Sequence, residues 1–265
     1  MGSGVLGVDF SGASSAGDSL WVTEATQTAV GLRIEDCYRA TDRWGRDRES
    51  AHAGLVERIA SEEVGTAGLD FPFSLPQSLL DRRCGGDWRG FLEWVAGGDG
   101  PADPAAFSET CRRTAEQTGG SRDVRRETDV RRGALCPYTN RVRSMTFHGA
   151  RNVLGHLAGR SDTAVVPMED GDAETRVCEV YPAATFGWLG CYREGYKSTD
   201  GARERRAANL DAVEACSVAL SDHRETYLNS HDALDSLAAA VSAARVDDGV
   251  EPVPVGTRQE GCIYV

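Results

Sequence analysis

Four aspartates stand in apolar or turn settings along this chain of 265 residues. Asp9 ends Val5-Leu6-Gly7-Val8-Asp9, Asp70 ends Ala67-Gly68-Leu69-Asp70, and Asp232 and Asp235 open a helix-like run. The first two fall where strands run out, and the i,i+3 spacing of the last two places them on one helix face. Carboxylates gathered in one pocket repel one another, and a divalent cation is the usual remedy. Mg²⁺ takes oxygen ligands and keeps several of its own waters. Two such ions about 3.5–4 Å apart can make a water nucleophilic and relieve a leaving oxygen of negative charge. The pattern points to a metal-dependent phosphodiester site holding two Mg²⁺ or Mn²⁺ ions, with Asp9 as the bridging ligand, Asp70 on one ion and Asp232 or Asp235 on the other. Asp235 is the stronger of the last two because it lies one turn inside its helix. Each residue also has a plainer role open to it: Asx-turns for Asp9 and Asp70, and an N-cap or first-turn acid for Asp232.

Two further residues join the candidate catalytic set. Glu179 ends an apolar strand before Tyr181-Pro182, where it is either an outer acid of the site or the partner of a base. The obvious base is Lys197, the only lysine among 29 basic residues. A chain that otherwise uses arginine gains from one compact, tunable ammonium near a phosphate or an attacking water. His231 adjoins Asp232 and is read either as a proton shuttle or as a helix-entry residue. His148 is left without a role.

Composition frames these residues. The chain carries 41 acidic against 29 basic residues, a net charge of −12. Acidity with almost no lysine is the surface chemistry of molar salt, although a GC-rich genome would also favour arginine. From Arg112 to Arg151 ten arginines face only Glu116, Asp123, Glu127 and Asp129. That basic island is a candidate polyanion contact through Arg125, Arg126, Arg131, Arg132, Arg141 and Arg143, its alternative being a solvated, paired helix face. Eight cysteines show no C-x-x-C spacing and no signal-peptide pattern precedes them, so they read as buried free thiols of a cytoplasmic protein. No apolar run of about eighteen residues exists to span a membrane.

The elements that must position the acids follow from periodicity. Val5–Phe10, Leu20–Thr28 and Gly31–Tyr38 read as three strands, the last two alternating like half-buried antiparallel strands. A helix with apolar positions Ala53, Val56, Ile59 and Ala60 leads to a fourth strand, Val64–Asp70, stopped by Pro72 and Pro76. Residues 85–151 form a helical, arginine-rich insertion in which Trp88, Phe91, Leu92 and Val95 make a core stripe. A helix about Phe147–Ala158, a strand at Thr163–Pro167, a hairpin through Glu169-Asp170-Gly171-Asp172 and a strand at Arg176–Tyr181 come next. Helices at Ala202–Ser221 and Asp232–Arg245 close the chain. One α/β domain over 1–265 follows, a mixed sheet of three antiparallel strands and then parallel ones, flanked by helices. A crossover helix would set Asp9 and Asp70 side by side.

Five segments in this order resemble domain of unknown function family 429: Gly7-Val8-Asp9-Phe10-Ser11-Gly12-Ala13, Gly68-Leu69-Asp70-Phe71-Pro72, Cys178-Glu179-Val180-Tyr181-Pro182-Ala183-Ala184, Tyr196-Lys197, and His231-Asp232-Ala233-Leu234-Asp235-Ser236-Leu237-Ala238-Ala239-Ala240. The resemblance implies an RNase H-like fold and nuclease activity on DNA or RNA. The carboxylate spacing is also similar to that of Holliday-junction resolvases, except that Asp70 stands where those enzymes carry a longer Glu. Two rival readings are an actin-like or sugar-kinase nucleotide-binding protein, for which the chain lacks a second domain and a Gly-rich loop after Asp70, and a non-catalytic nucleic-acid-binding module of the same fold.

Overall fold

The computed structural model describes residues 3–118, 121–169, 173–247 and 256–265. Its centre is one mixed sheet of β1 (Gly4–Asp9), β2 (Trp21–Thr28), β3 (Gly31–Arg39), β4 (Val64–Leu69), β5 (Thr163–Val166), β6 (Thr175–Val180), β7 (Val218–Ala219) and β8 (Ile263–Tyr264). The order is β5-β6-β4-β1-β2-β3-β7, and β8 pairs with the end of β6 beyond the reach of β5. β1, β2 and β3 pair antiparallel, whereas β4, β6 and β5 extend the other edge in parallel. The expected α/β class and strand arrangement are therefore present.

The helices are α1 (Arg48–Ile59), α2 (Gln77–Arg83), α3 (Trp88–Ala96), α4 (Pro104–Gln117), α5 (Glu127–Arg132), α6 (Arg143–Gly149), α7 (Gly155–Leu157), α8 (Pro182–Trp188), α9 (Ala202–Ala215), α10 (Arg224–Asn229) and α11 (His231–Asp247). α1 and the α2–α7 segment cover one face of the sheet, where Leu6, Val8, Phe10, Leu55, Phe91 and Phe147 share a core. α8–α11 cover the other, where Val5 packs with Leu210, Leu234, Leu237 and Ala240. Burial on both faces explains why β1 is a continuous apolar run rather than an alternation.

Several sequence readings need correction. β5 and β6 pair parallel, so no hairpin joins them; Asp170, Gly171 and Asp172 of that proposed turn lie outside the described residues. α1 buries Ala51, His52, Leu55 and Ile59, not the face through Ala53, which is exposed. The Ala202–Ser221 helix stops at Ala215, and a short strand, β7, follows it to pair with β3. The helix read from Phe147 begins at Arg143 and runs through a π-helical turn, Ala150–Leu154, into α7. Five of the eight free cysteines are buried; Cys37 and Cys191 are half-buried and Cys216 is exposed. Among the described residues no helix is long and apolar enough to cross a membrane.

Candidate active site

Two glycines set the site. A Cβ on Gly7 would stand 2.2 Å from the backbone of Ser236 and Ala240, and one on Gly68 would stand 2.7 Å from Ala239 O. Their absent side chains let α11 lie directly on β1 and β4. The parallel register sets Gly7 beside Gly68, and Asp70 N donates to Val8 O at 3.0 Å. Two residues further along, on the same face of each strand, come Asp9 and Asp70. One turn back along α11 from Ala239 comes Asp235. The helix is anchored there by Thr23 on β2, whose Oγ1 lies 2.7 Å from Ser236 Oγ and 3.2 Å from Tyr227 Oη. Ser230 Oγ accepts from Ala233 N at 3.1 Å, so Ser230 supplies the N-terminal side-chain cap that the sequence reading offered to Asp232.

These placements bring Asp9, Asp70 and Asp235 into one recess, with Asp232 at its edge. The Asp235 side chain is 1% exposed and the Asp232 side chain 33%. Asp9 and Asp70 keep part of their surface open. No hydrogen-bond donor of the described residues reaches either carboxylate. Burial first, then the charges of Asp235, Asp70 and Asp232, holds Asp9 well above the usual carboxylate range. Burial and then Asp235 push Asp70 up to about 8, and Lys197 only partly offsets them. Asp235 is also raised by burial, against the opposing pull of Lys197 and Tyr196. Burial is the larger cause at all three acids, and at Asp9 the charges of Asp235, Asp70 and Asp232 add to it because these carboxylates surround it.

Lys197 answers this charge, and it does so through Asp235 rather than Glu179. Its Nζ donates to Asp235 Oδ2 at 2.6 Å, and Tyr196 Oη donates to Asp235 Oδ1 at 2.7 Å. Burial alone would lower the Lys197 ammonium, but Asp235, Asp9 and Asp70 more than reverse this and raise it. The Lys197 side chain remains 52% exposed, so the ammonium stands at the mouth of the recess. His231 Nδ1 lies 2.6 Å from Asp232 Oδ1, without the alignment of a hydrogen bond.

Glu179 belongs to a different network. Arg126 Nη1 donates to its Oε2 at 2.7 Å, Phe73 N donates to the same oxygen at 2.9 Å, and Arg126 Nη2 donates to Asp129 Oδ1 at 2.6 Å. Arg126 is 0% exposed. A side chain without surface cannot meet a polyanion, so Arg126 leaves the proposed nucleic-acid contacts and becomes the counter-ion of Glu179 and Asp129. Sequence alone could not separate it from Arg125, its exposed neighbour. The rest of the island is partly neutralised: Arg112 pairs with Asp123, Arg122 with Glu116 and Arg131 with Glu127. Arg125 and Arg141 are exposed, Arg132 and Arg143 are half-buried, and Arg143 Nη1 donates to Asn140 Oδ1 at 3.1 Å.

Asp9, Asp70 and Asp235 are hard oxygen donors of the kind Mg²⁺ and Mn²⁺ take, and Asp9 and Asp70 have no protein donor to give up. The set is not closed around a point, since among the described residues no three Asp, Glu, His or Cys side chains form a ready metal cage. One positive charge, Lys197, already occupies one side of it. No curated protein and no solved structure matches the chain. Residues 7–258, which include every acid of the recess and Lys197, match the family described as protein of unknown function (DUF429), and the chain belongs to that family.

Proposed function

We propose that this protein is a metal-dependent nuclease of RNase H-like type, hydrolysing phosphodiester bonds of DNA or RNA at the recess of Asp9, Asp70 and Asp235. The observation that supports the reading best is the gathering of these carboxylates from two strand ends and one helix, two of them without a protein donor. Asp9 and Asp70, with Asp232 or Asp235, would hold Mg²⁺ or Mn²⁺, which when bound supplies an acidic water and neutralises the leaving oxygen. The chain's own residues would do the rest. Asp9 and Asp70, which no donor of the described residues engages, would meet the cation directly as deprotonated carboxylates. Tyr196 and Lys197 fix the Asp235 carboxylate, and the open side of the Lys197 ammonium faces an incoming phosphate. Glu179 acts from behind: held by Arg126 and Phe73 N, it fixes the turn that follows Asp70. Arg125, Arg131, Arg132, Arg141 and Arg143 remain as the backbone-contacting arginines. Free thiols and an acidic, nearly lysine-free composition accord with a cytoplasm rich in salt.

The test is hydrolysis of labelled single strands, duplexes and four-way junctions with Mg²⁺ and with Mn²⁺, at low and at molar salt. Asn keeps the shape of Asp9 but not its charge, so Asp9→Asn should lose several orders of magnitude in rate, on the scale by which metal sites lower the barrier. Activity that survives in the variant refutes the role of Asp9. No activity of the wild type on any substrate returns the chain to the non-catalytic binding module.

A further inference from the structure

On the α1 side of the sheet, behind the acid recess, lies a cavity of about 1070 Å³. Its walls come from the loop Gly12-Ala13-Ser14, from α1, and from the helical path through the π turn at Ala150–Leu154. π turns often mark functional segments because the extra residue re-aims side chains.

Positive groups gather at one end. Arg48 Nε donates to Gly12 O at 3.1 Å and to Ala13 O at 3.0 Å, and Arg48 Nη1 lies 3.5 Å from His148 Nδ1. Arg151 lines the same cavity, and its charge reaches His148 as well. His52 Nε2 donates to Ser11 O at 2.8 Å, and Asn152 Nδ2 donates to His52 Nδ1 at 3.3 Å. Burial first, then the neighbouring guanidiniums, pushes His148 down to about 4, and burial and Arg48 leave His52 at about 4 as well. Glu49, Glu57 and Asp103 line the cavity as well, but none of them pairs with Arg48 or Arg151. Glu49 and Glu57 are exposed, and Asp103 accepts from Ala105 N and Ala106 N as the cap of α4. Among the described residues no carboxylate pairs with Arg48 or Arg151. A half-buried guanidinium without a counter-ion is costly, and an anion relieves it. Two guanidiniums suit a dianion, and a space of this size exceeds a bare ion and has the volume of a small-molecule site. Val56, Pro104 and Phe147 give it an apolar wall.

We infer that this cavity binds an organic phosphate of nucleotide size, with Arg48 and Arg151 on the phosphate and the apolar wall against its body. The inference does not rest on the nuclease reading, and it is tested in chelator so that the acid recess is silent. Titration calorimetry on the full chain compares the four nucleoside monophosphates, their nucleosides, inorganic phosphate, and a short oligonucleotide with and without a 5′-phosphate. At least one monophosphate should saturate the protein, its nucleoside should bind far more weakly, and the ring-proton signals of His52 and His148 should move. Arg151→Gln, at an exposed side chain that spares the fold, and Arg48→Gln should each weaken binding roughly tenfold or more, the loss of one charged hydrogen bond. Equal binding of the 5′-phosphorylated oligonucleotide identifies the ligand as a chain end, and its exclusion identifies a free nucleotide. No saturable binding at millimolar ligand, nucleosides as tight as monophosphates, or unchanged binding in the Arg151→Gln variant overturns the inference.

Discussion

Two carboxylate clusters lie at neighbouring strand ends of this protein, and they are built in opposite ways. Around Arg126, the carboxylates of Asp129 and Glu179 meet one guanidinium whose donors, with Phe73 N, engage their oxygens. Around Asp9, three buried or half-buried acids and a fourth at the edge share one lysine at the mouth, and two of the acids have no donor at all. The first cluster is closed and solvent-free, which is the arrangement of a structural ion network. The second is over-charged and open, an arrangement that a fold tolerates where a cation or a substrate completes it. Glu179 and Asp70 are close enough to feel each other's charge, yet a guanidinium engages Glu179 and no donor of the described residues engages Asp70, and that decides which kind of acid each is.

This contrast predicts opposite responses to losing one charge. Arg126→Leu strands two buried carboxylates and should cost about 3–5 kcal/mol, the range for breaking a buried pair. Asp9→Asn removes one repelling carboxylate and should leave the chelator-treated protein as stable as before or slightly more so. Denaturant titration of both variants reads the difference. Equal destabilisation would mean that Asp9 is as structural as Glu179.

The pH dependence sharpens it further. Asp70 keeps its proton to about 8 in the folded protein and Asp9 is raised as well, whereas the unfolded chain releases both near 4. Between those values the folded state binds more protons, so these two groups make stability fall as pH rises. His52 and His148 act the other way, because their folded values near 4 lie below the unfolded 6.5, and they add stability as pH rises from 4 to 6.5. Above 6.5 only the carboxylates remain. The metal-free protein should therefore lose melting temperature from pH 6.5 to 8, and Asp9→Asn should lose less. A wild-type melting temperature that climbs across that interval would contradict the clustered charge.

The smallest effect concerns the basic island. Replacing Arg125, Arg131, Arg132 and Arg141 by Gln should flatten the salt dependence of nucleic-acid binding by roughly 0.7–0.9 per lost phosphate contact. Arg126 is left out because its charge never reaches solvent. A salt slope unchanged in the quadruple variant would remove the island from the interface.

Much of this was legible in sequence because it depends on local period and composition. The apolar run before Asp9, the antiparallel pairing of β2 with β3, and the i,i+3 placement of Asp232 and Asp235 carry through directly to the structure, whereas the alternation expected of β2 does not, because Val22 and Thr23 are buried on opposite faces. What could not be read depends on partners distant in sequence. Lys197 meets Asp235 across 38 residues and Arg126 meets Glu179 across 53, and nothing in either neighbourhood names the other. The parallel pairing of β5 with β6 was hidden because a Gly-Asp turn signal between two short strands reads as a hairpin. The glycines that admit α11 were visible at positions 7 and 68, but their purpose appears only once the helix lies across them.

The recess of Asp9, Asp70 and Asp235 is proposed here as the seat of a divalent cation. The direct measurement is thermal melting of the wild type and of the Asp9→Asn, Asp235→Asn double variant against Mn²⁺ and Mg²⁺ at constant ionic strength. A cation that binds only the folded form stabilises it by about 2.7 kcal/mol at a hundred times Kd, so the wild-type midpoint should rise with metal while the double variant stays flat. An equal rise in both proteins, or none in the wild type, would contradict the account.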